Sequence, residues 1–189
     1  MQNTVLLIID VQKGFHTEPS YWGARNNLQA EENIGMLLAE WRKYNRPIIH
    51  IKHMSTNPNS PLRPGQIGND FQEVVSPLPN EVQFTKSVNS AFINTNLEAY
   101  LHDNEFESLV IIGLTTDHCV STTTRMAGNL GFQVTLVSDA TATFEREFGG
   151  KHYSAEEMHN LHLASLDGEF CTVVSTAEIL ETGKLPNQK

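Results

Sequence analysis

Three residue types in this chain are suited to covalent catalysis, and each stands at the end of an apolar run. Asp10 ends "TVLLIID", Lys86 ends "VQFTK", and Cys119 follows "SLVIIG" in the stretch "GLTTDHCV". A thiol in the first turn of a helix meets unpaired amides and the positive end of the helix dipole, which favours thiolate. An ammonium from Lys86 adds to that effect. A carboxylate at Asp10 can take the thiol proton during attack and return it to a leaving amine. Backbone amides at the turn before the helix can hold a developing oxyanion. Nucleophile, acid/base and charged orienting group are three roles for three residues.

The elements that must bring them together alternate along the chain. Short apolar runs at 4–10, 48–54, 82–86, 108–113, 132–139 and 170–175 read as strands. The first is continuously apolar, as in a strand buried on both faces. Helix-period segments separate them. Ile34, Leu37, Leu38 and Trp41 share one helical face, and Pro47 stops that helix. A second helix opens at Asn94 or Thr95. A third spans about Asp117 to Leu130, with Gly131 as its left-handed cap. A fourth begins with the capping box of Ser154 and Glu157, and "TAEILET" makes the last. This alternation predicts one α/β domain over 1–189: a doubly wound, mostly parallel six-stranded sheet with helices on both faces. In such sheets ligands bind beyond the carboxyl ends of the strands, where Asp10, Lys86 and Cys119 fall.

Composition narrows the function. The 189 residues contain 39% apolar and 19% charged residues, an ordinary globular balance. Thirteen Lys and Arg against 22 Asp and Glu give a net charge of −9, which disfavours nucleic acid as a partner. The run Val5 to Ile9 is too short to span a membrane, and no basic segment precedes it. Two cysteines, Cys119 and Cys171, do not make a disulfide framework; a cytoplasmic protein is expected. "FCTVV" should point Cys171 into the core. No G-x-G-x-x-G follows the first strand, so the usual dinucleotide site is not expected.

Other residues near the strand ends admit plainer roles. Phe15, Trp22 and Phe92 follow catalytic strand ends, where they either line a pocket or pack in the core. The segment 55–80, rich in Pro, Asn, Ser and Gly, exceeds the roughly 12–15 residues of ordinary loops; it reads as a pocket wall or a subunit contact. His50 and His53 stand at i, i+3, which on a strand puts them on opposite faces. His159 and His162 share a helical face, read as wet or as a subunit contact. His118 should point away from the thiol.

The motifs "DVQKGF", "KSVNSAF" and "GLTTDHCV" resemble, in order and separation, the three signatures of the isochorismatase-like cysteine hydrolases, over about Thr4 to Ser175. The resemblance implies a triad of Cys119, Asp10 and Lys86, and a cis Leu114–Thr115 peptide. It implies oxyanion donors in the Thr115 and Cys119 amides, with Leu114 beside the pocket. Members of the family with the cysteine are amidohydrolases of small non-peptide amides, ureas and carbamoyl compounds, which implies a small-molecule amide substrate cleaved through a thioester. Nicotinamidases of the family place a metal after the second strand with an Asp and a His in D-x-H spacing. The acid is absent from "IIHIKHMSTNPNSP", so neither metal nor other cofactor is expected. A homodimer or larger homo-oligomer is also implied. Three other readings stay open: a vinyl-ether hydrolase of the isochorismatase type, a thiol redox protein using Cys119, and a non-catalytic binding module.

Overall fold

The computed structural model describes residues 3–182, so residues 1–2 and 183–189 of the expected domain lie outside the described residues. Six strands form one sheet: β1 (Thr4–Ile9), β2 (Ile48–His53), β3 (Val82–Lys86), β4 (Ser108–Leu114), β5 (Gln133–Ala142) and, after a hairpin of β6 (Arg146–Phe148) and β7 (Lys151–Tyr153), β8 (Thr172–Val174). Their order is β3-β2-β1-β4-β5-β8 and every pair in the sheet is parallel. This is the doubly wound order, which reverses direction between β1 and β4. Asp10 and Cys119 therefore flank the crevice where the loops after β1 and β4 part.

Two small helices, α1 (Gly14–Thr17) and α2 (Pro19–Trp22), precede the long α3 (Ala30–Lys43). Then come α4 (Leu97–Asp103), α5 (Ser121–Asn129), α6 (Ala155–Leu166) and α7 (Thr176–Thr182). Alternate β1 side chains feed opposite layers, as the period-2 pleat requires. Val5, Leu7 and Ile9 pack with Leu97 and Leu101 of α4, Ala127 of α5 and Leu166 of α6. Leu6 and Ile8 pack with Ile34, Leu37, Leu38 and Trp41 of α3 and Ile179 of α7. Helices thus cover both faces. A third apolar cluster, containing Phe15, Leu62, Leu114, Ala142 and Phe144, closes the carboxyl end above the sheet.

Several boundaries differ from the sequence expectation. β5 runs on to Ala142, past a shift of register against β4 between Ile111 and Gly113. The β6–β7 hairpin was not expected; its turn residues Gly149 and Gly150 both have positive φ, the conformation a tight hairpin turn demands. The third helix begins as a turn of π-helix over Thr116–Val120 before regular α5. Gly131 is in the left-handed conformation at φ 89°, with the Phe132 amide donating back to the Ala127 carbonyl, as a helix stop requires. The Ser154–Glu157 capping box is present.

Gly113 is needed where β4 leads toward the thiol. Its φ is 120°, and a Cβ there would lie 2.0 Å from the Ile9 carbonyl oxygen on β1. Gly113→Ala should therefore destabilise the fold by about 3 kcal/mol, combining backbone strain and overpacking. Urea denaturation measures it; an unchanged midpoint would show that the β1–β4 contact yields freely.

Candidate active site

Asp10 lies just beyond β1, fully buried, with a left-handed φ of 51°. That conformation is costly for most residues and tolerated best by Asp, Asn and Gly. Its amide donates to the Ile51 carbonyl and its carbonyl accepts from the Gln12 amide, so the turn is held from both sides. Lys86 closes β3, and its Nζ donates to Asp10 Oδ2 at 2.5 Å. The same Nζ is 3.2 Å from Cys119 Sγ, in the π-turn after β4. The Leu114–Thr115 peptide before that turn is cis. Asp10 Oδ1 is buried without a hydrogen-bond partner, and the carboxylate lies within 4.8 Å of the sulfur. Three residues from the carboxyl ends of three strands thus meet at one point.

Their charges are coupled. Burial works against the Lys86 ammonium, but Asp10 and then Cys119 outweigh it and its pKa rises above the ordinary lysine value. For Cys119, burial is the largest influence and pushes the thiol well up; Asp10 adds to this and Lys86 opposes it. The expectation of a low-pKa thiol is therefore corrected. The helix start does not offset burial and Asp10, and the His118 and Val120 amides of its first turn both donate to the Thr115 carbonyl. Both directions favour a Cys119 thiol beside a Lys86 ammonium. Cys171 is 8% exposed in the core, and burial pushes its thiol up to about 12.

A cavity of about 400 Å³ opens over the sulfur. Phe15 and Trp22 line it as expected, with Thr115. Phe92 and Leu114 do not. Phe92 turns into the core and stacks on Phe132 at 5.9 Å, and Leu114 is fully buried beneath Phe15 and Phe144. The segment 55–80 forms a wall through Ser55, Asn57, Ser60 and Leu62. It is pinned by Asn69, whose buried amide donates to the carbonyls of His53 and Leu62. Tyr21, Asn89, His53 and His118 complete the lining and were missed from sequence; Asn89 Oδ1 lies 3.8 Å from the sulfur. His118 faces the cavity rather than away from it.

The histidines at i, i+3 on β2 do point apart. His50 is buried against Glu81 at 2.8 Å, while His53 faces the site. His159 is corrected from a wet face: it is 4% exposed and bonds Thr116 Oγ1 at 2.9 Å, tying α6 to the turn that carries Cys119. His162 is half-buried on the same helix. Among the described residues, the ligand atoms of Asp10, His53 and Cys119 converge within 4.8 Å. The Lys86 ammonium stands within 3.2 Å of an atom of each, so it takes the place a metal ion would need.

Residues 4–178 match the Isochorismatase domain family model. The isochorismatase family protein YrdC of Bacillus subtilis (strain 168) is 48% identical over 180 residues, covering 95% of each chain. The crystal structure of an isochorismatase-family protein from Chromobacterium violaceum superposes with a TM-score of 0.91 at 46% identity, over 96% of this chain and 93% of that one. Maleamate amidohydrolase of Pseudomonas putida is 26% identical over 190 residues, 93% of this chain and 84% of its own. With the doubly wound sheet and the buried cluster at its carboxyl end, these likenesses establish the chain as a hydrolase of the isochorismatase family.

Proposed function

We propose that this hydrolase is a cysteine-dependent amidohydrolase that cleaves the C–N bond of a small non-peptide amide, urea or carbamoyl compound through a thioester. The observation that carries the reading is the buried Asp10 carboxylate within 4.8 Å of the Cys119 sulfur, its Oδ1 without a hydrogen-bond partner and its Oδ2 held by Lys86. A carboxylate oxygen left without a donor in a dry site is an acceptor ready for a proton. As Sγ attacks the carbonyl carbon, the thiol proton passes to Asp10, so free thiolate never has to accumulate. The amides of Thr115 and Cys119 are the oxyanion donors in this reading. Asp10 then delivers the proton to the departing nitrogen, the C–N bond breaks, and the acyl group remains on sulfur. Water, deprotonated by Asp10, attacks the thioester; the acid leaves and the proton returns to sulfur.

The named activity of the maleamate amidohydrolase relative supports amide cleavage as the class of reaction. The raised thiol pKa speaks against a peroxide-reactive redox cysteine, which requires a stable thiolate. The test is ammonia release across a panel of small carboxamides, ureas and carbamoyl compounds. Release from at least one, abolished in Cys119→Ala, is expected. Cleavage of a vinyl ether with no ammonia from any member of the panel would overturn the reading.

A further inference from the structure

An ammonium has three N–H bonds to place, and in a dry site each one left over is costly. Lys86 has 3% exposure and directs one bond to Asp10 and one to Cys119. The third contact is His53 Nδ1 at 3.2 Å. Lysine can only donate, so that ring nitrogen must be the bare acceptor and the proton sits on Nε2. Burial and then the Lys86 charge lower the His53 pKa, which keeps the ring neutral and able to accept.

The surroundings hold His53 in register. It is paired directly with Lys86 across the β2–β3 ladder. The fully buried Gln12 side chain brackets its backbone, accepting from the His53 amide at 2.8 Å and donating to the carbonyl at 3.0 Å. The buried Asn69 amide donates to the same carbonyl at 2.9 Å. Two buried polar side chains thus converge on the backbone of one residue.

We propose that His53 is a positioning residue: its Nδ1 fixes the Lys86 ammonium between Asp10 and Cys119. The proposal rests on the reading of that trio as the reactive group. When sulfur carries an acyl group the ammonium loses its thiol partner, and His53 keeps it from swinging toward the substrate. The Asp10–Lys86 geometry then survives into the hydrolytic half-reaction.

The test uses iodoacetamide as probe and needs no substrate. Cys119 alkylation at fixed pH follows the thiolate fraction, which the position of Lys86 supports. His53→Leu removes the acceptor and should slow Cys119 alkylation about tenfold, the loss of one charge-assisted hydrogen bond. His53→Asn places Oδ1 near the position of Nδ1 and should stay within about threefold of wild type. Should the leucine variant fail to fold, His53→Phe keeps the ring volume without the acceptor and carries the same expectation. Cys171, remote from the site, reports on folding and should not change. In a Lys86→Met background the effect of His53→Leu should vanish. Unchanged or faster alkylation in the acceptor-free variant overturns the proposal, as does an Asn variant as slow as Leu or an effect that persists without Lys86. If a vinyl ether is cleaved and no amide in the panel is hydrolysed, the amidohydrolase reading falls while this readout stands.

Discussion

Asp10→Asn lowers turnover of a hydrolysed amide by about 10²- to 10⁴-fold, the usual cost of losing a proton-transfer group. It also lowers stability. The Asp10–Lys86 pair has side-chain exposures of 1% and 0%, so the neutral amide leaves a buried ammonium without a counter-charge, at a cost of about 3–5 kcal/mol. The two effects separate by pH. In the native chain the Lys86 pKa is raised, so its contribution to stability is full below the unfolded lysine pKa of about 10.4 and is lost as pH rises through the higher folded value. Without Asp10, burial dominates and the folded pKa falls below the unfolded one. The unfolded state then binds more protons, and the variant should gain stability as pH rises toward the unfolded lysine value while the native chain gains none from this group. Asp10→Asn combined with Lys86→Met should recover most of the stability and none of the rate. A single variant that keeps more than about a tenth of the rate would remove Asp10 from the proton path.

The parts of this site that sequence disclosed are those fixed by strand ends. An apolar run such as Val5–Ile9 reads plainly because it is buried on both faces, and its last residue falls at the ligand edge of a parallel sheet. Asp10, Lys86 and Cys119 could be placed together on that ground alone. Proximity to the edge does not give direction, and Phe92 and Leu114 show the difference: each follows or precedes a residue of the proposed triad closely, yet each turns into apolar packing. The opposite faces of His50 and His53 were legible from pleat periodicity. The meeting of His53 with Lys86 was not, because it depends on the register of β2 against β3, which neither strand encodes by itself. The Gly149-Gly150 pair was a readable turn signal, although strands of three residues give too little alternation to register. The Cys119 pKa was misjudged because local position names the helix dipole, while burial and the distance to Asp10 belong to the assembled fold.

Cys119→Ser should abolish hydrolysis, with a loss of about 10⁴-fold or more, on the scale seen when a covalent nucleophile is removed. In the proposed mechanism Asp10 takes a proton from sulfur at the moment of attack. Even that thiol is held well above its ordinary pKa by burial and by Asp10, so a serine hydroxyl, intrinsically far less acidic, lies beyond the reach of the same carboxylate. Lys86, 3.2 Å from the sulfur, offers one counter-charge, and Asp10 already engages it at 2.5 Å. Both Cys119→Ser and Cys119→Ala should keep native stability within about 1 kcal/mol, because the half-buried side chain opens on the cavity and no neighbouring charge loses its main partner. With a turned-over amide, rapid-quench mass spectrometry of the native chain should find the acyl group on the peptide that carries Cys119. A vinyl-ether mechanism requires neither adduct nor thiol. Undiminished ammonia release by Cys119→Ala would therefore overturn the thioester, and with it the assignment of Asp10 and Lys86 as partners of a nucleophile.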